Sequence, residues 1–317
     1  MTSITDMFRR VREGREATPP FLGDATGGTL AVARDCFEHP ETVTLPDGRT
    51  LGYAETGDPD GTPVLAFHGV PSGRLGAAVF DGAARAAGLR LVAPERPGVG
   101  VSDPDPDRTL TDWPADVTAL LDALGVEEAP VVGVSGGGPY ALACGALVPE
   151  RVPRVAVCCG VGPMAAVGPA ERLLFLLARG VPGVVRAFLG AEERSARYAP
   201  ERTVKRRAAA AAPHDRERWS GEIGRVLVAS IPAACRHHGV EAFVRDLQLF
   251  ASDWGFDLAL DVPVGLWYGR ADRYVPVAMG QYLMEAVPTA EAHFYPDLGH
   301  LSTVMENDSA MFGWLRE

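Results

Sequence analysis

The chain predicts an α/β fold: a mostly parallel sheet with helices on both faces. Three observations carry this reading. Short apolar runs at Val64–Phe67, Leu89–Pro94, Val131–Val134, Val155–Gly160 and Val264–Tyr268 alternate with segments of helical length. The alternation stops from about Met164 to Phe256 and then resumes, so a helical stretch is inserted into the order. Four residues with chemistry to offer, His68, Ser135, Asp272 and His300, each follow a predicted strand. Ligands in open parallel sheets bind at the carboxyl ends of the strands.

The elements follow in order. Ile4, Met7, Phe8 and Val11 recur at helical spacing, so Ile4–Val11 reads as a short docked helix. Thr18–Gly28 is rich in Pro, Gly and Thr and reads as a connector. Thr42–Leu45 and Thr50–Thr56 flank Pro46-Asp47-Gly48, a hairpin signal. The strand Val64–Phe67 runs into His68-Gly69-Val70-Pro71-Ser72-Gly73, and Ala77–Ala87 forms a helix closed by Gly88. Leu89–Pro94 is a strand that leads into the loop Glu95–Asp103. Thr111 is in place to cap a helix running to Leu124 and stopped by Gly125. Val131–Val134 is a strand, Ala141–Val148 a helix and Val155–Gly160 the next strand. Within the insertion Leu173–Leu177 is apolar, Arg202–Ala212 is basic and then alanine-rich, and Arg216–Ser230 and Val240–Trp254 are amphipathic. Val264–Tyr268, a helix Val277–Val287, a strand Ala292–Tyr295 and a helix Ser302–Leu315 complete the chain.

A chain of 317 residues with 47% hydrophobic and 22% charged residues has the composition of a soluble globular protein with a large core. Its 30 basic and 41 acidic side chains leave a net charge of −11, which argues against nucleic acid and anionic membrane as partners. Residues Ala129–Pro149 carry no charge and are long enough to span a bilayer, but Pro130, Pro139, Pro149 and the glycines between them break the run. The five cysteines, Cys36, Cys144, Cys158, Cys159 and Cys235, are odd in number and lack C-x-x-C spacing. They fit a reducing compartment, and with no apolar signal-peptide core near Met1 the expectation is a cytoplasmic protein.

No metal or cofactor is expected. The adjacent His237 and His238 cannot share one helix face. Gly133–Gly138 is not followed by Lys and Ser or Thr, and Gly98-Val99-Gly100 has Asp103 where a third glycine would fall. A small-molecule substrate is the expected partner.

The chemistry centres on Pro130–Tyr140. Ser135 sits in a Gly133-x-Ser135-x-Gly137 frame between an apolar strand and a helix, where small flanking residues allow a cramped turn. By itself such a frame also describes a glycine-rich turn with an inert serine, so the decision rests on its partners. A serine hydroxyl becomes nucleophilic when a base takes its proton, and a histidine held by a carboxylate is the usual base. His300 lies after the last predicted strand; His293 is inside a strand, and His39, His214, His237 and His238 lie away from the carboxyl-end loops. Asp272 follows the strand Val264–Tyr268, whereas Asp297 shares the short loop of His300. The order Ser135, Asp272, His300 is the one expected for a nucleophile elbow. The backbone N–H groups of Gly136 and Val70 are the expected oxyanion donors. His68, with Gly69, is expected to brace that loop, and Ser102 to be structural.

Taken together, His68-Gly69-x-Pro71, Arg96-Pro97-Gly98-x-Gly100-x-Ser102, Gly133-x-Ser135-x-Gly137, Gly269-x-x-Asp272 and Gly299-His300 closely resemble the α/β-hydrolase superfamily, in particular its single-domain lidded type. The resemblance covers about residues 41–317. It implies an eight-stranded sheet with a helical lid after the sixth strand, hence an N-terminal extension at 1–40, a core at 41–163 and 257–317, and a lid at 164–256. It implies a serine hydrolase acting on an ester, thioester or lactone, with C–C bond hydrolysis, acyl transfer or a non-enzymatic small-molecule receptor as alternatives. Serine at position 135 disfavours the dehalogenases and epoxide hydrolases, which use aspartate. Gly69-Val70-Pro71-Ser72-Gly73 departs from the Gly-Gly-x-Pro-Gly loop of the proline iminopeptidases. Specificity is expected in the lid and around Val70, Pro163 and Met164.

Overall fold

A computed structural model describes residues 17–23 and 25–317, without the side chains of residues 170 and 171. The helix expected at Ile4–Val11 lies outside the described residues. The sheet has eight strands in the order β1-β2-β4-β3-β5-β6-β7-β8. They are β1 (Glu41–Thr44), β2 (Thr50–Gly57), β3 (Thr62–Phe67), β4 (Leu89–Pro94), β5 (Val131–Val134), β6 (Val155–Cys158), β7 (Val264–Gly269) and β8 (Ala290–Tyr295). β1 and β2 pair antiparallel, as do β2 and β4, and every other pair is parallel.

β6 and β7 are buried from end to end and β5 at all but Val134, which is why these strands read as unbroken apolar runs rather than alternating ones. Successive side chains of a strand go to opposite faces. Leu65 and Phe67 of β3 therefore join one core with Val117, Leu120, Tyr140, Leu142 and Leu283, while Val64 and Ala66 join the other with Phe80, Ala84, Trp267 and Phe312. The first core is covered by α3 (Trp113–Ala123), α4 (Gly138–Leu147) and α11 (Val277–Ala286), the second by α2 (Asp81–Ala86), α12 (His300–Glu306) and α13 (Asp308–Leu315). The uncharged stretch 129–149 is thus β5 and a buried α4, and among the described residues no single helix is long and apolar enough to cross a membrane.

Between β6 and β7 the described residues form six helices: α5 (Pro169–Gly180), α6 (Pro182–Tyr198), α7 (Pro200–Ala210), α8 (Asp215–Ser220), α9 (Glu222–Ala234) and α10 (Glu241–Phe250). Several boundaries differ from expectation. The amphipathic stretch Arg216–Ser230 is divided by Gly221 between α8 and α9. Asn307 separates α12 from α13, its side-chain amide donating to Thr303 O at 2.8 Å and so drawing off a helix carbonyl. Position 300 opens a helix instead of lying in a loop before one, with the Ser302 hydroxyl accepting from Gly299 N at its start. Thr111 does not cap α3: the side chain of Asp112 folds back to accept from Thr109 N at 2.7 Å, and Thr111 bonds to the Thr109 hydroxyl at 2.9 Å. The segment expected as one helix after Gly73 is a 3-10 turn, Arg74–Phe80, followed by α2. β6 ends at Cys158 because Cys159 turns to φ +48°. Finally, α1 (Gly28–Glu38) was not anticipated; Ala33, Cys36 and Phe37 pack it onto Leu75, Ala78, Val226 and Ala229.

Candidate active site

The registers Phe67–Gly133, Val134–Cys158, Cys158–Trp267 and Gly269–Tyr295 align the carboxyl ends of β3, β5, β6, β7 and β8. The loops bearing positions 68, 135, 272 and 300 therefore open at one edge of the sheet. Ser135 has φ +55°, a left-handed conformation that costs a non-glycine residue energy and persists only where the surroundings impose it. The surroundings here are tight. A Cβ on Gly133 would lie 2.6 Å from Gly137 O and 2.8 Å from Ala141 Cβ, and one on Gly137 would overlap the Phe67 carbonyl oxygen. Both glycines of the frame are what let β5 turn so sharply into α4.

His300 and Asp272 are joined: Nδ1 of the imidazole lies 2.7 Å from Asp272 Oδ2. Asp272 Oδ1 accepts from the amides of Tyr274 at 2.7 Å and Val275 at 3.0 Å, which fixes the carboxylate. A carboxylate only accepts, so Nδ1 carries a hydrogen, and in the neutral imidazole Nε2 has the lone pair. The Asp272 side chain is fully buried and that of His300 is 11% exposed. Burial disfavours charge on each. The mutual attraction and the hydrogen bond outweigh it, so His300 titrates well above the ordinary histidine range and Asp272 below the usual carboxylate range. Ser135 and His300 line the same cavity, and no hydrogen bond joins them among the described residues. In ligand-free sites such contacts are often loose.

The loop after β3 lies across the turn. A Cβ on Gly136 would meet Val70 Cγ2 at 2.7 Å, and one on Gly69 would lie 3.2 Å from Ser135 Cβ, so Val70 and Gly136 are neighbours beside the serine. The Val70 amide donates to no group among the described residues. The loop's carbonyls are held from behind: Arg96 donates to His68 O at 2.6 Å and to Gly69 O at 3.2 Å. His68 Nδ1 donates to Gly69 O at 2.9 Å, leaving Nε2 to accept from Arg96 N at 3.4 Å. Burial, and then the charge of Arg96, push the His68 pKa well down, so the ring is neutral and suited to bracing. Ser102 is 1% exposed, donates to Glu95 O and accepts from Gly52 N, a structural role as expected.

Sequence reasoning missed what secures Arg96. Asp246 of α10 accepts from it at 2.9 Å, from Arg108 at 2.8 Å and from Tyr140 Oη at 2.6 Å, all with side chains at most 3% exposed. Sequence offered only an aspartate on an amphipathic helix. Cys159 is fully buried, and its Sγ lies 3.7 Å from His300 O. Ligand atoms of Cys159, Asp272 and His300 fall within 4.8 Å of one another, a spacing that suits a cation, though Nδ1 and Oδ2 are already engaged with each other.

Two cavities meet at Ser135. One, of about 170 Å³, runs inward past His68, Phe80, Trp219, Ile231 and His300. The other, of about 430 Å³, opens between Phe175, Phe188, Leu247, Phe250 and Met279. Val70, Pro71, Ser135, Arg207 and Tyr274 line both. Pro163 and Met164, expected near the substrate, line a separate pocket with Trp254 and Tyr282. The unanticipated polar group is Arg207, which pairs with Glu192 at 3.1 Å, stacks over Trp219 at 5.3 Å and keeps a buried Nε without a hydrogen-bond partner.

A strained serine turn, a His–Asp pair and a flanking amide loop on a mostly parallel sheet define a hydrolase of the alpha/beta hydrolase fold, and the family model of that description matches residues 62–304. The chain belongs to this family. A 2-hydroxy-6-oxononadienedioate/2-hydroxy-6-oxononatrienedioate hydrolase of Paraburkholderia phymatum is 30% identical over 290 residues, 84% of this chain and 92% of that protein. A 2-hydroxymuconate semialdehyde hydrolase of Pseudomonas putida is 27% identical over 256 residues, 77% of this chain and 83% of that one. Among solved structures, an alpha/beta hydrolase fold protein from Nakamurella multipartita superposes with a TM-score of 0.65 at 24% identity, covering 88% of this chain and 98% of its own.

Proposed function

We propose that this hydrolase works through Ser135 as nucleophile, His300 as general base and Asp272 as the carboxylate that orients it, on a small, partly apolar carbonyl substrate. The observation that carries the reading is the His300–Asp272 pair at 2.7 Å sharing a cavity with a serine at φ +55°. Ser135 Oγ attacks the carbonyl carbon as its proton passes to His300 Nε2. The oxyanion is held by the N–H groups of Val70 and Gly136. The imidazolium, steadied by Asp272, returns the proton to the leaving group. Water, deprotonated by the same nitrogen, then releases the acyl group and restores Ser135. His68 and Gly69 support the oxyanion loop. The insertion at 164–256 serves as a lid on a core of 41–163 and 257–317, its Phe175 and Phe188 walling the outer cavity.

The primary reading of the scissile bond is an ester, thioester or lactone, whose leaving oxygen or sulfur needs no more than this machinery. C–C bond hydrolysis is the second reading, favoured by the names of the two relatives matched over most of their length. A carbon leaving group departs with its electron pair only if an adjacent conjugated system takes the charge, which hydroxy-oxo dienoates provide. Arg207, a cation that lines both cavities with Ser135, would suit their carboxylate. Turnover of p-nitrophenyl esters and of a 2-hydroxy-6-oxo dienoate, each by the wild type and by Ser135→Ala, separates the readings. Loss of both activities in the variant supports the nucleophile, the larger kcat/KM names the bond, and activity that survives the substitution rejects the assignment.

A further inference from the structure

We propose that Asp215 is a positioning residue through which the helical insertion sets the catalytic base: its buried carboxylate holds the backbone of His300. The inference rests on reading His300 as that base.

Asp215 opens α8, is 1% exposed, and reaches across 85 residues of sequence to accept from His300 N at 2.8 Å. Its other oxygen accepts from Ser302 N at 2.8 Å and from Ser302 Oγ at 2.6 Å. Together these satisfy two of the amides that the first turn of α12 cannot bond internally. The carboxylate has no cationic partner among the described residues; Arg218, on the same helix, pairs instead with Glu306 at 2.8 Å. A buried carboxylate without a counter-ion is expensive, and its hydrogen bonds to α12 are what compensate it. The approach needs position 299 bare. A Cβ there would overlap Asp215 Oδ2 and lie 2.6 Å from its Cγ, which explains the glycine of the Gly299-His300 pair on grounds of space.

The neighbouring contacts point the same way. His214 Nδ1 donates to Asp297 O at 2.7 Å, Arg273 donates to Ala210 O at 3.0 Å, and Trp219 and Leu301 share one apolar cluster. The segment around Asp215 is therefore fastened to the loops of both Asp272 and His300. Of these contacts from the insertion, that of Asp215 is made to the backbone of the base itself, so displacing it shifts the imidazole relative to Ser135. A shift of about 1 Å at a reacting group costs on the order of 100-fold in rate.

The test compares wild type, Asp215→Asn, Asp215→Ala, Gly299→Ala and His300→Ala in p-nitrophenyl ester kinetics and in the rate of fluorophosphonate labelling, with circular dichroism to establish folding. For folded Asp215→Asn and Gly299→Ala we expect kcat and labelling to fall roughly 10- to 100-fold, with KM within threefold, a split that loss of packing at the substrate cavities would not give. Values within twofold of wild type in either folded variant overturn the proposal. If His300→Ala labels at the wild-type rate, the underlying reading of the base fails instead. Hydrogen exchange on the wild-type chain needs no variant: slow exchange of the His300 and Ser302 amides supports the proposal, and exchange as fast as in the exposed loop at Asp105–Asp107 overturns it.

Discussion

Asp246 and Arg96, 150 residues apart, form a fully buried ion pair at 2.9 Å behind the loop that carries Val70. Arg96 spends its remaining donors on the carbonyls of His68 and Gly69, so the pair ties helix α10 of the insertion to the amide loop beside Ser135. Burial penalises the Asp246 carboxylate, yet the charges of Arg96 and Arg108 and the Tyr140 hydroxyl hold its pKa below the usual range.

Asp246→Ala strands Arg96 and Arg108 without a counter-ion in the interior. Breaking a buried pair from one side costs about 3–5 kcal/mol. The expected outcome is a loss of that size in urea denaturation, together with a fall in kcat as the carbonyls of His68 and Gly69 lose their fixed donor. Unchanged stability would show that the pair contributes nothing net.

The His300–Asp272 pair sets the pH dependence. As the proposed general base His300 acts in its neutral form, and Asp272 raises the pH at which it loses its proton. The acid limb of kcat/KM is therefore expected above pH 6.5, about the unperturbed histidine value. Replacing Asp272 with Asn removes the charge that raises it, so the limb moves to lower pH, while the rate falls on the order of 10⁴-fold because the tautomer is no longer fixed. Stability runs the opposite way to activity. With its folded pKa raised, His300 contributes stability that is fully present below about pH 6.5 and is lost as pH rises through the folded value. A pH–rate series on both proteins checks the two shifts together.

The serine, the histidine and the aspartate were legible because each lies in a short local frame, Gly133-x-Ser135-x-Gly137, Gly299-His300 and Gly269-x-x-Asp272, at the end of a strand that its apolar run announces. Gly137 is constrained by the carbonyl of Phe67 at the end of the neighbouring strand, whereas Gly299 is constrained by Asp215 of the insertion. Asp246, Asp215 and Arg207 were not legible. Each sits on a helix whose local sequence fits an ordinary solvated face, and each acquires its role from partners distant in sequence. The helix breaks at Gly221 and Asn307 escaped for a similar reason, since an amphipathic stripe continues across them while the backbone does not.

Ser135, the proposed nucleophile, holds a strained backbone at φ +55°. A left-handed non-glycine residue costs on the order of 1–3 kcal/mol. Ser135→Gly should therefore abolish turnover and raise stability by about 1 kcal/mol, since glycine adopts φ +55° without that strain. Ser135→Ala should abolish turnover with no such gain, because its Cβ remains. Thermal unfolding of the three proteins under one buffer gives the comparison. A glycine variant no more stable than the alanine variant would mean the turn is relaxed as it stands.

Arg207 provides a way to tell which substrates the two cavities accept. It lines both of them beside Ser135, and with Arg206 and Glu192 it forms a group of net charge +1. Its guanidinium, lining both cavities, brings positive charge and N–H donors to an anion. A hydrogen bond to a charged group contributes about 1.5–3 kcal/mol, roughly 10- to 100-fold in binding. Arg207→Met keeps most of the apolar stem that rests on Trp219 and removes the donors. KM for a dienoate substrate is expected to rise by that factor, while KM for a neutral p-nitrophenyl ester stays within twofold. Equal rises for both would assign Arg207 to the packing of the wall through Glu192 and Trp219, and would remove the carboxylate from the description of the substrate.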